Sequence, residues 1–244
     1  MRDDRVIYIV DDDVALLDSA ALLLSLNGYV VKTFRSGASF LAQLSETVAG
    51  CVLLDVEMPE PTGMQVLEHL KAMAPRFAVI MLTGVGDVAL AVRAMKNGAV
   101  DFIEKPCSSD TLLGAVREGF AQLESTSAGG QAIEDARGRI AQLSVRERDV
   151  LRRLLSGWPN KVIAYQLGLS TRTVEMHRAN IMDKLQARGL PMAVRMGLAA
   201  GLEPVDAEPV ALRSLAVPPK QQAADRRITT MHYSSIKAMN SHRP

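Results

Sequence analysis

Five short apolar runs alternate with five helical patterns in the first half of the chain, and this alternation limits the fold more than any other feature. The runs occupy residues 5–10, 29–34, 51–55, 78–83 and 100–105. Apolar residues at helical spacing follow each run, in the segments 14–27, 36–44, 63–73, 87–97 and 109–123. Strands that alternate with helices form a parallel sheet, and right-handed crossovers place the helices on both faces. We therefore predict a doubly wound five-stranded α/β domain over residues 1–123, with the flavodoxin-like strand order 2-1-3-4-5.

Acidic residues follow two of the predicted strands. Asp11 and Asp12 come directly after the first strand, and Asp55 ends the third. In the predicted order these strands are neighbours, and ligands of open α/β sheets bind at the carboxyl edge between such strands. Taken alone, an acidic run after a strand is usually a solvated turn, and a single Asp is usually an N-cap. Together, the three carboxylates predict a site for a hard divalent cation such as Mg²⁺.

Two further strand ends add a hydroxyl and a cation to the same edge. Thr83 ends the fourth strand, and Lys105 ends the fifth. Separately, a Thr before a Gly is usually turn chemistry, and a Lys at a strand end is usually solvated. Carboxylates, a hydroxyl and an ammonium group at one sheet edge are the groups that phosphoryl transfer to a carboxylate requires.

This set of residues resembles the receiver domain of two-component response regulators; the matching positions are Asp11-Asp12, Asp55, Thr83 and Lys105-Pro106. The resemblance implies that Asp55 accepts a phosphoryl group from a sensor histidine kinase. It implies that Mg²⁺ is held by Asp12, Asp55 and the backbone carbonyl of Glu57, with Asp11 assisting. It also implies that Lys105 stabilises the phosphoryl oxygens and precedes a cis proline.

The same resemblance implies a conformational switch. Thr83 would bind a phosphoryl oxygen and move inward, and Phe102 would rotate with it; taken alone, Phe102 is a buried strand aromatic. The helix at 87–97 and the strand at 100–104 would change in response. In relatives of the FixJ type this surface forms a dimer, so we expect a homodimer on phosphorylation.

Charge divides the chain into two halves of opposite sign. Residues 1–123 carry 10 basic and 16 acidic side chains, a net charge of −6, whereas residues 143–202 carry 10 and 4, a net charge of +6. Chance variation on solvated faces would produce such a difference, but so would an acidic site in one domain and a polyanion-binding surface in the other. Residues 124–142 have no sustained apolar face and predict a flexible connector, helical near 133–140.

The basic region 143–202 predicts an all-α domain of four helices. Ser144 and Glu147 form a capping box before the first helix, and Asn160 is predicted to cap a short second helix. Gly168 turns the chain, and Ser170 caps a third helix that runs to about residue 186. The fourth helix covers 191–200. A short helix, a turn with Gly and a capped helix are typical of a helix-turn-helix motif.

The third of these helices is predicted to enter the DNA major groove. Val174, Ile181 and Leu185 lie on one stripe and would face the core. Small, polar and basic side chains on the other side suit contact with nucleobase edges and phosphates. A plain four-helix domain whose basic side chains are merely solvated would show the same pattern. The predicted DNA contacts are Lys161, Arg172, Thr173, Glu175, Met176, Arg178, Ala179 and Lys184, with Arg188 as a further phosphate contact.

The segments 143–151, 160–164 and 169–177 resemble the LuxR-type DNA-binding domain. With the receiver, the arrangement resembles the FixJ/NarL class of response regulators and is closer to FixJ. This resemblance implies a transcription regulator that binds double-stranded promoter DNA, with RNA polymerase as a further candidate partner. Glu175 departs from the pattern, since some relatives carry Lys there. Its carboxylate would accept a hydrogen bond from the N4 amino group of cytosine or orient a neighbouring Arg.

Two other functions remain open at this stage. Phosphatases of the haloacid dehalogenase type also form a phospho-aspartate on a doubly wound sheet, but their Asp-x-Asp-x-Thr motif does not follow the first strand here. A DNA-binding regulator with a relic receiver is the second alternative. We therefore expect a regulator and not an enzyme.

The remaining features set the expected compartment. Two cysteines, no zinc-ligand spacing, no signal-peptide pattern and no apolar stretch near 18 residues predict a reduced cytoplasmic protein without a membrane span. Residues 203–244 contain several prolines and no clear periodicity, and we expect a disordered tail there.

Overall fold

Strands and helices alternate through the first half of the computed structural model, which describes residues 5–73, 76–125 and 129–205. This α/β part contains β1 (Val6–Val10), α1 (Val14–Leu26), β2 (Val30–Phe34), α2 (Gly37–Ala42), β3 (Gly50–Asp55), α3 (Gly63–Lys71), β4 (Phe77–Thr83), α4 (Val88–Lys96), β5 (Asp101–Glu104) and α5 (Ser109–Ser125). The helical part contains α6 (Gly129–Ala141), α7 (Val145–Leu155), α8 (Asn160–Leu167), α9 (Thr171–Leu185) and α10 (Leu190–Ala199).

The five strands form one parallel sheet in the order β2-β1-β3-β4-β5, which confirms the predicted fold class. In the register of the sheet, Val10 lies beside Leu54, and Asp55 lies beside Leu82. Asp11 follows β1 directly, and Lys105 follows β5. The order of the strands therefore brings the predicted acidic and basic residues to one edge.

Residues alternate between the two faces of the sheet and build a separate core on each. Tyr8, Leu54 and Met81 belong to the cluster that includes side chains of α3 and α4. Ile9 and Leu53 point to the opposite face, where they pack with α1 and α5. All six residues of β3 are buried, because helices cover it on both sides. This buried centre positions the end of β3, where Asp55 lies.

The helical part has its own core, and its helix ends follow the predicted capping with one exception. Ser144 and Glu147 form the capping box of α7, and the Ser170 hydroxyl accepts from the Thr173 amide at the start of α9. The predicted cap at Asn160 is wrong. Pro159 precedes α8, and the side-chain oxygen Oδ1 of Asn160 instead accepts a 2.7 Å hydrogen bond from Arg178.

Two segments that were predicted to be flexible or disordered contain ordered structure, and in the first of them α6 covers the helix predicted near 133–140. The described residues of the predicted connector 124–142 include the end of α5 and the whole of α6. At the start of the predicted tail, the Glu203 carbonyl accepts from Arg152, and the Val205 amide donates to Ser156, both on or next to α7. Residues 203–205 are therefore bound to the helical part. The prediction of disorder for 206–244 lies outside the described residues.

Candidate functional site

The Lys105 ammonium group joins two buried carboxylates at the edge of the sheet. Its Nζ lies 2.7 Å from the Asp11 carboxylate and 2.8 Å from that of Asp55. Asp11 is 1% exposed and Asp55 is 3% exposed, so both carboxylates are shielded from water. The Lys105–Pro106 bond is cis, as the resemblance implied. The structure thus brings three of the predicted site residues into direct contact.

Asp12 completes an acidic cluster beside this lysine. One carboxylate oxygen from each of Asp11, Asp12 and Asp55 lies within 4.8 Å of the other two. Asp12 is exposed, which leaves a side open to solvent. All-oxygen donors with one open side suit Mg²⁺, which keeps several waters and uses one or two carboxylates. The donor set therefore fits a divalent cation. The Glu57 carbonyl stays a predicted ligand.

The ionisation of this cluster is set by burial and by its own charges. Burial raises the pKa of Asp55, and the neighbouring Asp11 charge raises it further; Lys105 and the Glu57 amide act in the opposite direction but do not cancel the rise. Burial acts to lower the pKa of Lys105, but hydrogen bonds to both carboxylates outweigh it, and the net pKa is raised. Lys105 therefore stays charged. An added cation would stabilise the ionised form of the carboxylates.

Thr83 lies on β4 and Phe102 on β5, next to the acidic cluster. Among the hydrogen bonds of the described residues, neither side chain bonds to the cluster. Thr83 is fully buried, and its hydroxyl donates to the Val85 carbonyl and accepts from the Val85 amide, both at 3.2 Å. Phe102 lies beside Met81 in the sheet and is half-buried. It lines a cavity of about 500 Å³ together with Pro191 and Arg195 of α10.

Helix α9 presents two chemically different faces. Val174, Ile181 and Leu185 are fully buried, as the sequence predicts. Five of the predicted DNA contacts are exposed, namely Lys161 on α8 and Arg172, Glu175, Met176 and Ala179 on α9. Tyr165 of α8 was not predicted, although it is 74% exposed and stands on the same motif. This surface has the cations and small side chains that a groove-binding helix needs.

Three predicted phosphate contacts have protein partners in this structure. Lys184 donates a 2.7 Å hydrogen bond to the buried Glu147 carboxylate. Arg178 donates to Asn160, and Arg188 lies 3.5 Å from Glu118 of α5. Thr173, a further predicted DNA contact, has its hydroxyl 2.8 Å from that of Ser170. These partners are distant in sequence or belong to caps, so residue type alone did not reveal them.

The surface predicted to form a dimer contacts the helical part. Helices α7 and α10 pack against α4, and α10 also contacts β5. Leu155 of α7 and Val194 of α10 are fully buried in the same cluster as Val92 and Met95 of α4. A Cβ on Gly157 would lie 3.1 Å from the Cα of Ala89, so the approach is close. In this structure, α4 and β5 are therefore partly covered.

An ion-pair cluster borders this contact. The Glu118 carboxylate accepts a 2.9 Å hydrogen bond from Arg195 and lies 3.5 Å from Arg188. Arg195 also donates to Gln122 of α5. Burial raises the pKa of Asp101 nearby. The hydrogen bond from the Phe102 backbone amide and the charges of Arg195 and Arg188 oppose this rise. Sequence reasoning missed Glu118 and Arg195, because neither belongs to a local motif.

The described helices include none that is both long and apolar enough to cross a membrane. This finding concerns only the ranges that the structure describes.

Comparison with known proteins identifies both parts of the chain. Residues 7–117 match the response regulator receiver domain, and residues 141–197 match the bacterial regulatory proteins of the luxR family. The transcriptional regulatory protein FixJ of Azorhizobium caulinodans is 46% identical over 84% of this chain and 98% of its own length. FixJ of Rhizobium meliloti is 42% identical over 82% of this chain and 98% of its own length. FixJ of Bradyrhizobium diazoefficiens is 42% identical over 80% of this chain and 96% of its own length. With its receiver site and its helix-turn-helix surface, the chain belongs to the FixJ-type family of two-component response regulators, which act as transcription regulators.

Proposed function

We propose that Asp55 accepts a phosphoryl group from a sensor histidine kinase and that this modification controls promoter binding by the helical part. The observation that carries the proposal is the Lys105 ammonium group, which lies within 2.8 Å of both the Asp55 and the Asp11 carboxylates. A buried carboxylate beside a fixed cation is a suitable acceptor, because the cation stabilises charge as it develops on the phosphoryl oxygens.

The transfer itself exchanges one bond to phosphorus for another. An Asp55 oxygen attacks the phosphorus, the bond between phosphorus and the kinase imidazole breaks, and the imidazole nitrogen keeps that electron pair. The product is an acyl phosphate on Asp55. Lys105 would then contact a phosphoryl oxygen, and Asp11 would keep the ammonium group in place.

Mg²⁺ is the cofactor that we propose for this site. Asp12 and Asp55 would hold it, with the Glu57 carbonyl as a third protein ligand and Asp11 assisting; this is supported by the mutual distances of the carboxylates. When bound, the ion would neutralise charge on the phosphoryl oxygens. The protein's own contribution is to fix the carboxylates at the ends of β1 and β3.

The proposed switch runs from Thr83 to the contact with the helical part. Thr83 would exchange its Val85 partner for a phosphoryl oxygen, and Phe102 would rotate into the space next to it. Phe102 lines the same cavity as Pro191 and Arg195 of α10, so its rotation would change how α10 packs against the α/β part. Release of α10 would free α4 and β5 to form a homodimer, and a dimer reads two DNA half-sites.

The remaining partners follow from this role. The exposed side of α9, with Arg172, Glu175, Met176 and Ala179, would read the major groove, and Lys161 would contact a phosphate. RNA polymerase is a further candidate partner of the DNA-bound dimer. We place the protein in the cytoplasm, because promoter DNA would be its target. We propose no separate enzymatic activity.

The decisive experiment is labelling with a small phosphodonor. Wild type and Asp55→Asn are incubated with Mg²⁺ and acetyl phosphate, and the added mass of about 80 Da is measured on the intact proteins. We expect the mass shift on wild type alone. Equal labelling of both proteins, or none on wild type, would contradict the assignment of Asp55.

Two outcomes would favour the alternatives. Promoter binding by a wild type that takes up no phosphoryl group would indicate a relic receiver. Multiple turnovers of a generic phosphate ester such as p-nitrophenyl phosphate, abolished in Asp55→Asn, would indicate a phosphatase.

A further inference from the structure

Helix α6 belongs to the core of the helical part, although it lies in the segment between the two domains. Ala136 and Ile140 are 4% and 7% exposed. Ile140 packs in one cluster with Leu143, Val150 and Leu185, and α6 contacts both α9 and α10. The buried side of α6 therefore completes the apolar support of α9, the helix that carries the predicted base contacts.

Arg139 ties α6 to the last residue of α9. Its Nη1 donates a 2.9 Å hydrogen bond to the Leu185 backbone carbonyl, across 46 residues of sequence. Helix α9 ends there, and Gln186 follows in the left-handed conformation with φ of 51°. The last carbonyls of a helix lack partners within the helix and carry partial negative charge, so a guanidinium group bound there both satisfies a carbonyl and opposes the helix dipole.

Local sequence gives α6 little helical stability of its own. Its 13 residues include Gly129, Gly130 and Gly138, and isolated helices of this length are marginal in water. A Cβ at Gly138 would meet nothing within 4 Å, so packing does not require glycine there. Contact with α9 and α10 is therefore what holds α6 helical, and the same contact fixes the end of α9.

We propose that Arg139 is a positioning residue for DNA recognition, which holds the C-terminal end of α9 and makes helix α6 a part of the DNA-binding unit. The inference rests on the proposed binding of promoter DNA through α9. Arg139 acts through Leu185 and does not touch the DNA. Displacement of α6 from the helical part would weaken binding even when every exposed residue of α9 is intact.

The test uses the full-length, acetyl-phosphate-treated protein and a duplex that the treated wild type selects from a random-sequence pool. Arg139→Gln removes the charge and shortens the donor. We expect its affinity to fall by about 3- to 10-fold, with Arg139→Lys closer to wild type because it keeps a cation at the helix end. Arg137→Gln is the matched control, since Arg137 is 60% exposed and pairs only with Glu134 on the same helix among the described ion pairs.

The salt dependence of binding separates positioning from direct contact. A residue that binds phosphate contributes about 0.9 to the slope of log K against log[salt], and its removal lowers the slope. We expect an unchanged slope for Arg139→Gln. A reduced slope, an equal loss of affinity in Arg137→Gln, or unchanged affinity in Arg139→Gln would each overturn the inference.

Stability and the underlying function are checked in the same series. Affinities are measured below the melting midpoint of every variant, and Arg139→Met, which keeps the aliphatic stem, replaces the Gln variant if that melts too low. A loss of thermal stability with wild-type affinity would show a purely structural role and overturn the inference. If wild type selects no duplex from the pool, the proposed DNA binding fails, and the inference fails with it.

Discussion

The guanidinium group of Arg195 on α10 donates a 2.9 Å hydrogen bond to the Glu118 carboxylate on α5, across 77 residues of sequence. The two side chains are 24% and 32% exposed, so the bond is partly shielded from water. Because Arg188 also lies close to Glu118, this one carboxylate pairs with two arginines of the helical part. A contact that must open before α10 is released would restrain DNA binding in the unphosphorylated protein, and Glu118 is one residue that holds this contact.

Replacement of Glu118 by Gln should release part of this restraint. We expect the unphosphorylated variant to bind promoter DNA about 3- to 10-fold more tightly than wild type, since a half-buried ion pair of this kind contributes on the order of 1 kcal/mol. Fluorescence anisotropy without a phosphodonor measures the effect. Glu124→Gln is the control, because Glu124 pairs with Arg5 inside the α/β part. Equal affinities of Glu118→Gln and wild type would count against the restraint.

Replacement of Lys105 by Gln should slow phosphorylation. Lys105 is the donor that faces Asp55, and loss of one preorganised donor at a reacting oxygen typically costs about 100-fold in rate. Because Lys105 also opposes the raised pKa of Asp55, its loss should move the pH profile of labelling to higher pH. Mass spectrometry of acetyl-phosphate labelling from pH 5 to about 8 tests both effects. Lys32→Gln, an exposed change on β2, should behave as wild type.

Replacement of Lys184 by Met should lower stability more than it changes the salt slope of DNA binding. The ammonium group supports the buried Glu147 carboxylate of the capping box, so we expect a loss of about 1–2 kcal/mol in the free energy of unfolding at neutral pH. Retained stability with a reduced salt slope would contradict this expectation and support Lys184 as a phosphate contact.

The same ion pair predicts a pH dependence. Although burial acts to raise the pKa of Glu147, its bonds to Lys184 and Ser144 lower it from the ordinary value of 4.5. A lowered pKa in the folded state contributes stability that is fully present above pH 4.5 and is lost as the pH falls through the folded value. The stability difference between wild type and Glu147→Gln should therefore shrink below that pH, as denaturant titrations would show.

Replacement of Arg172 by Ala should weaken and broaden sequence recognition. Arg172 is exposed near the start of α9, and a bidentate contact from Arg to guanine is worth about 1–3 kcal/mol of discrimination. Binding to the selected duplex at fixed salt should fall by about 10- to 100-fold. Arg35→Ala, an exposed change in the α/β part, removes the same charge as a control. Unchanged binding by Arg172→Ala would contradict the assignment of α9.

Two glycine substitutions in open space should have opposite effects. A Cβ meets nothing within 4 Å at either Gly138 or Gly168, but Gly168 has φ of +64° and Gly138 does not lie in the left-handed region. Gly138→Ala should stabilise α6 by about 0.5–1 kcal/mol, and Gly168→Ala should destabilise the protein by about 1 kcal/mol. Melting midpoints measured by circular dichroism would decide. A shift of the same sign in both variants would refute the account.

The sheet and its acidic edge could be predicted because their signals are local. Apolar runs of strand length fix β1 and β3, and the rules for parallel sheets then place Asp11 next to Asp55. Lys105 follows in the same way from its position after β5. Each of these residues depends on its own strand and on a general topology, so a single sequence is enough to place it.

Partnerships between distant segments could not be predicted in this way. Lys184 and Arg188 are predicted phosphate contacts, and the sequence around them does not show that each also pairs with a carboxylate. Their partners, Glu147 and Glu118, lie 37 and 70 residues away. The cap at Asn160 failed for the same reason, since Arg178 competes for its side-chain oxygen. Only tertiary packing decides between such partners.

In the proposed switch, the internal bonds of Thr83 would set a threshold for signalling. Its hydroxyl donates to one Val85 group and accepts from another, and a hydroxyl has a single proton to donate. The resting arrangement must therefore be broken before the side chain turns to a new acceptor. The free-energy gap between the two arrangements determines how many molecules are switched on without any stimulus. Basal transcription from the target promoters would thus be tuned by the loop after β4, independently of how fast Asp55 is modified.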